Sequence, residues 1–455
     1  MSEIKVNKIS PRTACGTTTL GDSGDTFTIP SGVSITNQGT ASGFGSTGEV
    51  SWVTTKKTTT FTVTAGEGYF CDTSSGGFTV NLPAGTAGAS FAVADYTNTF
   101  QTGNLTISPN GSQKIGGVAA NTILSTEGQS AYFVYVDDTE GWKNVIDSTS
   151  NVTGQSAISA TGGTVTTCGN FKIHTFTGPG TFCVSSISTT AAENTVGYLV
   201  VAGGGGGSTF TGSGGGGAGG YREGRNAPID NFTASPLVAN APTNAVAITA
   251  TAFPIVVGAG GAGSPASCVQ GGTGTVSTFS TISSAGGGGG GKYVSDTPGQ
   301  AASQGSSGGS GGGNMFSGPA TGGVGNTPPV TPAQGNNGGV GSRNVGSGDN
   351  AGGGGGGAGA VGTNGSPNNA GPGGNGVATS ITGSSVTRAG GGGAGAHAGS
   401  VGSGGSGGGG AGTGYPSGAA GGNGTANTGG GGGGSGSGTG GTGGSGVVII
   451  RYKFQ

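Results

Sequence analysis

The chain has 455 residues, of which 116 are glycine, with 7% charged and 6% aromatic residues and a formal net charge of −2. Charged and aromatic residues both fall well below a globular average, and the 15 Lys and Arg form no cluster, which argues against nucleic acid as a partner. No apolar run approaches the roughly 18–20 residues that span a bilayer, so membrane insertion is not expected either. The start, Met1-Ser2-Glu3-Ile4-Lys5-Val6, lacks the apolar stretch of a secretory signal.

Residues 1–50 contain short strand signals punctuated by Gly and Pro, such as Phe27-Thr28-Ile29-Pro30 and Val33-Ser34-Ile35. So few apolar residues suit a stalk or attachment collar whose core comes from association. Residues 51–150 read as a compact, sandwich-like β domain, with alternation in 60–63, 69–71, 78–82, 105–107 and 131–136. Turn signals fall between those runs, and Trp142 is expected to fill the core with the other aromatics. Residues 151–202 bring strands at 171–176 and 180–184, expected to pair with 198–202 and 447–453 in one small framing sheet. The apolar run 253–258 is expected to join the same sheet.

Between the framing strands, residues 203–446 carry glycine in blocks, among them Gly203–Gly207, Gly286–Gly291, Gly352–Gly357 and Gly429–Gly434. Collagen needs glycine at every third position, and this stretch breaks that rule repeatedly. A linker is the alternative, but an apolar strand opens the block at Tyr198-Leu199-Val200-Val201 and another closes it at Val447-Val448-Ile449-Ile450. The block is therefore expected to fold between two strand partners. Extended helices of three residues per turn have no internal hydrogen bonds. Without side chains, such helices can approach closely and bond to one another, and the large entropy cost of ordering glycine makes that packing all-or-none. Specificity is then left to the inserts between runs.

The framing residues Tyr198–Ala202 before the first run, Gly215–Arg222, Ile255–Gly261 and Gly446–Tyr452 resemble the glycine-rich domain of phage tail fibres, in particular those of marine tailed phages. The glycine block is similar to the polyglycine-II lattice in tip adhesins of T-even-like phages. Ser2–Gly24 and Gly141-Trp142 resemble the start of marine phage fibre proteins, so the resemblance covers essentially the whole chain. It implies an all-β fold in three parts: a virion-attachment stalk (1–50), the sandwich-like domain (51–150) and a receptor-binding domain (151–455). In the last, framing strands in 151–202 and 447–455 enclose a glycine lattice at 203–446. The resemblance further implies a homotrimer, joined to other virion tail proteins by its N-terminus and to a protein or glycan receptor on the host bacterium by loops between glycine helices. A virion component, made in a host cytoplasm and released by lysis, also reconciles a missing signal with an extracellular composition. One departure is the segment Asn231–Thr251, longer and less glycine-rich than the family pattern.

Rare aromatic or charged groups mark the candidate receptor-binding inserts: Tyr293, Met315, Phe316, Arg343, His397 and Tyr415. Aromatics and Arg are the residue types that anchor recognition; Met315, Phe316, Tyr293 and Tyr415 are expected in exposed loops. Tyr221 and Arg222, within the framing motif, are expected to be structural. No catalytic, cofactor or metal site is expected. Gly21-Asp22-Ser23-Gly24 has no base or acid arranged around its serine, and Asp137-Asp138 with Glu140 reads as a hairpin turn. The five cysteines (Cys15, Cys71, Cys168, Cys183, Cys268) show no zinc spacing and read as idle thiols, with a Cys168–Cys183 bridge as the alternative. A depolymerase would need paired carboxylates in a groove, and residues 203–446 contain only Glu223, Asp230, Asp296 and Asp349. A shaft or collar role, or that of a cell-surface matrix protein, are the non-enzymatic rivals.

Overall fold

The computed structural model describes residues 50–147, 156–294, 303–316, 319–343 and 349–454. The expected attachment segment, with Cys15 and the Gly21–Gly24 turn, lies outside the described residues. Among the described residues the fold is all-β, apart from one 3-10 turn at Ala191–Glu193.

Residues 51–147 form two sheets around one core. The chain alternates between them: β1 (Ser51–Lys57), β3 (Glu67–Cys71) and β5 (Ser90–Asp95) pair in parallel in one sheet. β2 (Phe61–Thr62), β4 (Phe78–Asn81) and β6 (Leu105–Ser108) pair in parallel in the other. Each successive strand pair is thus one turn of a flattened coil, a connectivity that alternation alone does not reveal. β7 (Thr122–Leu124) closes the second sheet on β6, and β8 (Ser130–Tyr135) with β9 (Trp142–Asp147) closes the first on β5, all antiparallel. Trp142 fills the core as expected, fully buried with Phe91, Phe133 and Leu105. The acidic trio at 137–140 is a turn: Asp137 Oδ1 accepts from the Thr139 and Glu140 amides, both at 2.8 Å.

Beyond residue 156 the framing strands form two sheets, not one. The first runs β11 (Thr164–Cys168), β12 (Phe171–Phe176), β22 (Val447–Lys453), β14 (Thr195–Val201) and β15 (Tyr221–Gly224), with β16 (Val246–Ala247) also on β14. The second runs β10 (Ser159–Thr161), β13 (Gly180–Ser186), β17 (Ala252–Val256), β18 (Ser277–Phe279) and β19 (Ile282–Ser284). The strands at 180–186 and 252–256 therefore leave the expected sheet and cover it. Strand periodicity explains why: Tyr198 and Val200 of β14, with Val448, Ile450 and Tyr452 of β22, pack against Phe182, Ile255 and Phe279 of the second sheet. Leu199, Val201, Val447 and Ile449 point the other way, toward Tyr221, Phe232 and the hairpin β20 (Val377–Thr379) and β21 (Val386–Arg388). Covered on both faces, the two strands carry the continuous apolar runs Tyr198–Val201 and Val447–Ile450.

The departing segment after β15 is part of this body. Asp230 meets Arg451 of β22, Tyr198 Oη donates to the Thr243 carbonyl at 2.7 Å, and Phe232 is buried against the sheet. Cys168 and Cys183 lie in different sheets and are free thiols, so no bridge joins them. Burial pushes the Cys71 thiol up to about 12.

The glycine runs form a lattice held by backbone hydrogen bonds. In 203–208, Gly203 and Gly206 donate to Thr275 and Gly272, Gly204 and Gly207 to Gly444 and Gly441, Gly205 and Ser208 to Gly217 and Gly214. Residues three apart thus bond one neighbour, which runs antiparallel, as three residues per turn requires. Three more neighbours, parallel to the run, donate back: Gly261 and Ser264, Gly287 and Gly290, Gly432 and Ser435. All twelve bonds measure 2.8 to 3.1 Å, and the run has a neighbour on six sides. A Cβ on Gly203, Gly204, Gly205, Gly206 or Gly207 would sit 2.0 to 2.2 Å from a neighbouring carbonyl oxygen. That contact explains the unbroken glycine of enclosed runs. At the rim one side is open, and the triplet missing overall appears locally: Thr439, Thr442 and Ser445 stand at intervals of three, with glycine pairs between them.

His174 of β12 is fully buried between Phe182 and Tyr452. Its Nδ1–H donates to the Gly162 carbonyl at 2.7 Å, which leaves Nε2 to accept from Tyr452 Oη at 3.2 Å. Burial, aided by the Lys172 charge and opposed by the Gly162 bond, holds its pKa below the usual histidine value. The unfolded chain therefore takes up a proton that the folded chain refuses, and stability present above pH ~6.5 is lost as pH falls below it. The melting temperature is expected to drop between pH 7.5 and 5, with the slope flattened in His174→Gln; an equal slope in the variant would assign the effect elsewhere.

Candidate functional site

Short helices of uniform length place their turns in two layers. The run after β14 leads away from the sheets, and 214–220 leads back to β15. Pairing directions orient each later run. Gly261 and Gly287 follow the outward run in parallel; Gly313 pairs Gly215 antiparallel, Gly339 follows Asn314, and Gly395 opposes Gly352. The segments that follow outward runs begin at Pro265, Lys292, Met315, Ser342, Ser366, Ala396, Gly414 and Gly436, all at the end of the lattice away from the sheets.

All six candidate residues therefore stand at this far end, and two clusters hold four of them. Tyr293 packs on Phe210 in a tilted pair, 4.4 Å between centroids, with Phe316 at 6.2 Å on from Tyr293. His397 stacks on Tyr415 at 5.0 Å, and its Nδ1 lies 3.9 Å from Asp349 Oδ1, a reach that attracts a protonated imidazole but is too long for a hydrogen bond. Neighbouring turns are tied through backbone: Tyr293 N to Ser267 O, Phe316 N to Gly212 O, His397 N to Asn350 O and Tyr415 N to Ala396 O, at 2.8 to 3.1 Å. Arg343 adjoins the bridge between Ser342 and Ala351.

The exposure expected for the apolar pair is corrected. Met315 is fully buried and Phe316 is 3% exposed. They plug the lattice end, where a run stops and leaves a gap that a flexible thioether and a ring fill. Tyr415, by contrast, is 49% exposed. Tyr221 and Arg222 sit at the sheet end, where buried Tyr221 donates to Glu223 at 3.1 Å.

Sequence reasoning passed over Phe210. It adopts a φ of +115°, strained for any residue but glycine and costing on the order of 1–3 kcal/mol. An aromatic inside Ser208-Thr209-Phe210-Thr211-Gly212-Ser213, the first break in the glycine, was the available signal. With Tyr415, Thr209, Thr211 and the residues 436–439, Phe210 lines a cleft of about 580 Å³ in this end face. The face thus offers one aromatic-walled cleft flanked by polar turns, on a mount whose runs are tied to one another by backbone hydrogen bonds.

Comparison with curated proteins finds no match. A family model described as a glycine-rich domain matches residues 175–453. That span exceeds half of the chain and takes in the lattice with most of both framing sheets, so the chain belongs to the glycine-rich domain family.

Proposed function

We propose that the chain is a phage tail-fibre protein that adsorbs the virion to a host cell through the far-end turns of its lattice. The observation that carries this reading is the convergence of all six candidate insert residues on one face, opposite the sheets. The mechanism is reversible adhesion without covalent chemistry: turns supply contacts and the lattice keeps them from rearranging. A homotrimer, attached to other tail proteins by residues 1–50, would multiply weak contacts into avidity. The receptor is a protein or glycan of the bacterial surface.

The test is binding of the labelled full chain to a panel of bacterial strains, beside a variant with 396–400 and 414–418 replaced by minimal glycine turns. Saturable binding to a few strains, lost in the variant, is expected. No binding to any strain, including one the parent virion infects, would assign the chain to a shaft or collar.

A further inference from the structure

We infer that the cleft between Phe210 and Tyr415 is a binding site for a neutral oligosaccharide. The inference rests on the adhesion reading for the source of that saccharide, a glycan of the bacterial surface. The cleft's volume of about 580 Å³ lies within the range of small-molecule sites and accommodates several sugar rings. Two rings line it, and Tyr415 presents nearly half its surface to solvent. An aromatic ring pairs an apolar face with the C–H face of a pyranose, and a tyrosine adds a polar tip.

The rest of the lining is hydroxyl-rich. Ser437 Oγ accepts from the Gly418 amide at 2.9 Å, which leaves its own O–H to donate. Thr211 and Thr439 side chains also line the cleft and make no hydrogen bond among the described residues. Hydroxyls donate and accept, which matches a polyol ligand. None of the described lining residues carries a charge. A sialylated or phosphorylated ligand would leave its anion without a counter-charge there, so the cleft selects neutral sugars. Backbone strain at Phe210 is consistent with a side chain held in place for contact.

The full chain would be titrated with neutral tri- to hexasaccharides of glucose, galactose and mannose, and with carboxylated counterparts, by calorimetry and ligand-observed NMR. At least one neutral series is expected to bind, with the carboxylated counterpart about tenfold weaker or more. Tyr415→Ala is expected to lose about tenfold or more, and Tyr415→Phe to retain most of the affinity. Phe210→Gly deletes the second ring at a backbone position glycine prefers, and an unchanged melting temperature verifies its fold. Binding that persists in both ring deletions, or favours the charged sugars, overturns the assignment. Strain-specific adhesion lost with the far-end turns, but with no neutral saccharide bound, overturns it while leaving adhesion standing. Saccharide binding without adhesion to any cell supports the cleft and removes the adhesion reading instead.

Discussion

Gly205→Ala is expected to destabilise the lattice by on the order of 3–6 kcal/mol. The new methyl would lie 2.2 Å from the Gly288 carbonyl oxygen and 2.5 Å from its carbon. In an ordinary core such crowding is relieved by a neighbouring side chain changing rotamer, at about 1–3 kcal/mol. Here the obstacle is backbone, itself bonded on other sides. Moving it strains the bonds from Gly217 N to Gly288 O and from Gly288 N to Ser310 O, both fully enclosed. Each buried group left unpaired adds about 1–3 kcal/mol. Thr442→Ala is the matched control: its side chain points outward from a rim helix, and a change within about 0.5 kcal/mol is expected. Urea denaturation of the full chain measures both. Equal effects would mean that enclosure does not decide where glycine is required.

The second large effect is expected at Arg451. Its Nε donates to Asp230 Oδ1 at 2.7 Å, Nη1 to the Ile381 carbonyl at 3.3 Å and Nη2 to Asn231 Oδ1 at 3.2 Å. The guanidinium also lies 4.2 Å over the Phe171 ring. Both ion-pair partners are almost fully buried, at 3% and 2% exposed. Burial raises the Asp230 pKa above the ordinary carboxylate value, with Arg451 as the main opposing influence. Arg451→Met leaves that carboxylate buried without its counter-charge, a change that costs about 3–5 kcal/mol in comparable pairs. Adding Asp230→Asn removes the stranded charge, so the double variant is expected to recover much of the loss. A double-mutant cycle by urea denaturation decides it; additive losses would show that the pairing itself contributes little.

How far the fold was legible in the sequence depended on what covers each element. β12, β14 and β22 were plain, because continuous or alternating apolar residues mark strands that are buried. β1 was missed because Ser51–Lys57 is mostly exposed and polar, and its strand character comes from pairing with β3. The parallel coil of residues 51–108 and the division of the framing strands between two sheets were not legible, since alternation reports which face is buried, not which strand lies beside it. The segment Asn231–Thr251 was read as a departure. Its anchor, Asp230 on Arg451, joins residues 221 positions apart and leaves no local trace.

For the candidate face, unusual residues in a bare background all fell in a single layer of turns. Their depth was not readable, as Met315 and Phe316 show. The rule that separates enclosed helices from rim helices, unbroken glycine against a side chain at every third place, was present in Gly203–Gly207 and Thr439–Ser445 all along. It becomes visible only once the hydrogen bonds show which sides are open.

The lattice also sets how the molecule responds to temperature. Melting an ordinary core uncovers apolar surface and raises the heat capacity, whereas uncovering peptide groups lowers it. The runs around Gly203–Gly207 bury almost nothing but peptide groups. Their share of the heat-capacity change on unfolding should fall below the ~12–15 cal/mol/K per residue of globular proteins. Less heat capacity means a flatter dome of stability against temperature, with cold unfolding displaced further below freezing. A support built this way keeps nearly constant rigidity across a wide thermal range, because its cohesion borrows little from the ordering of water.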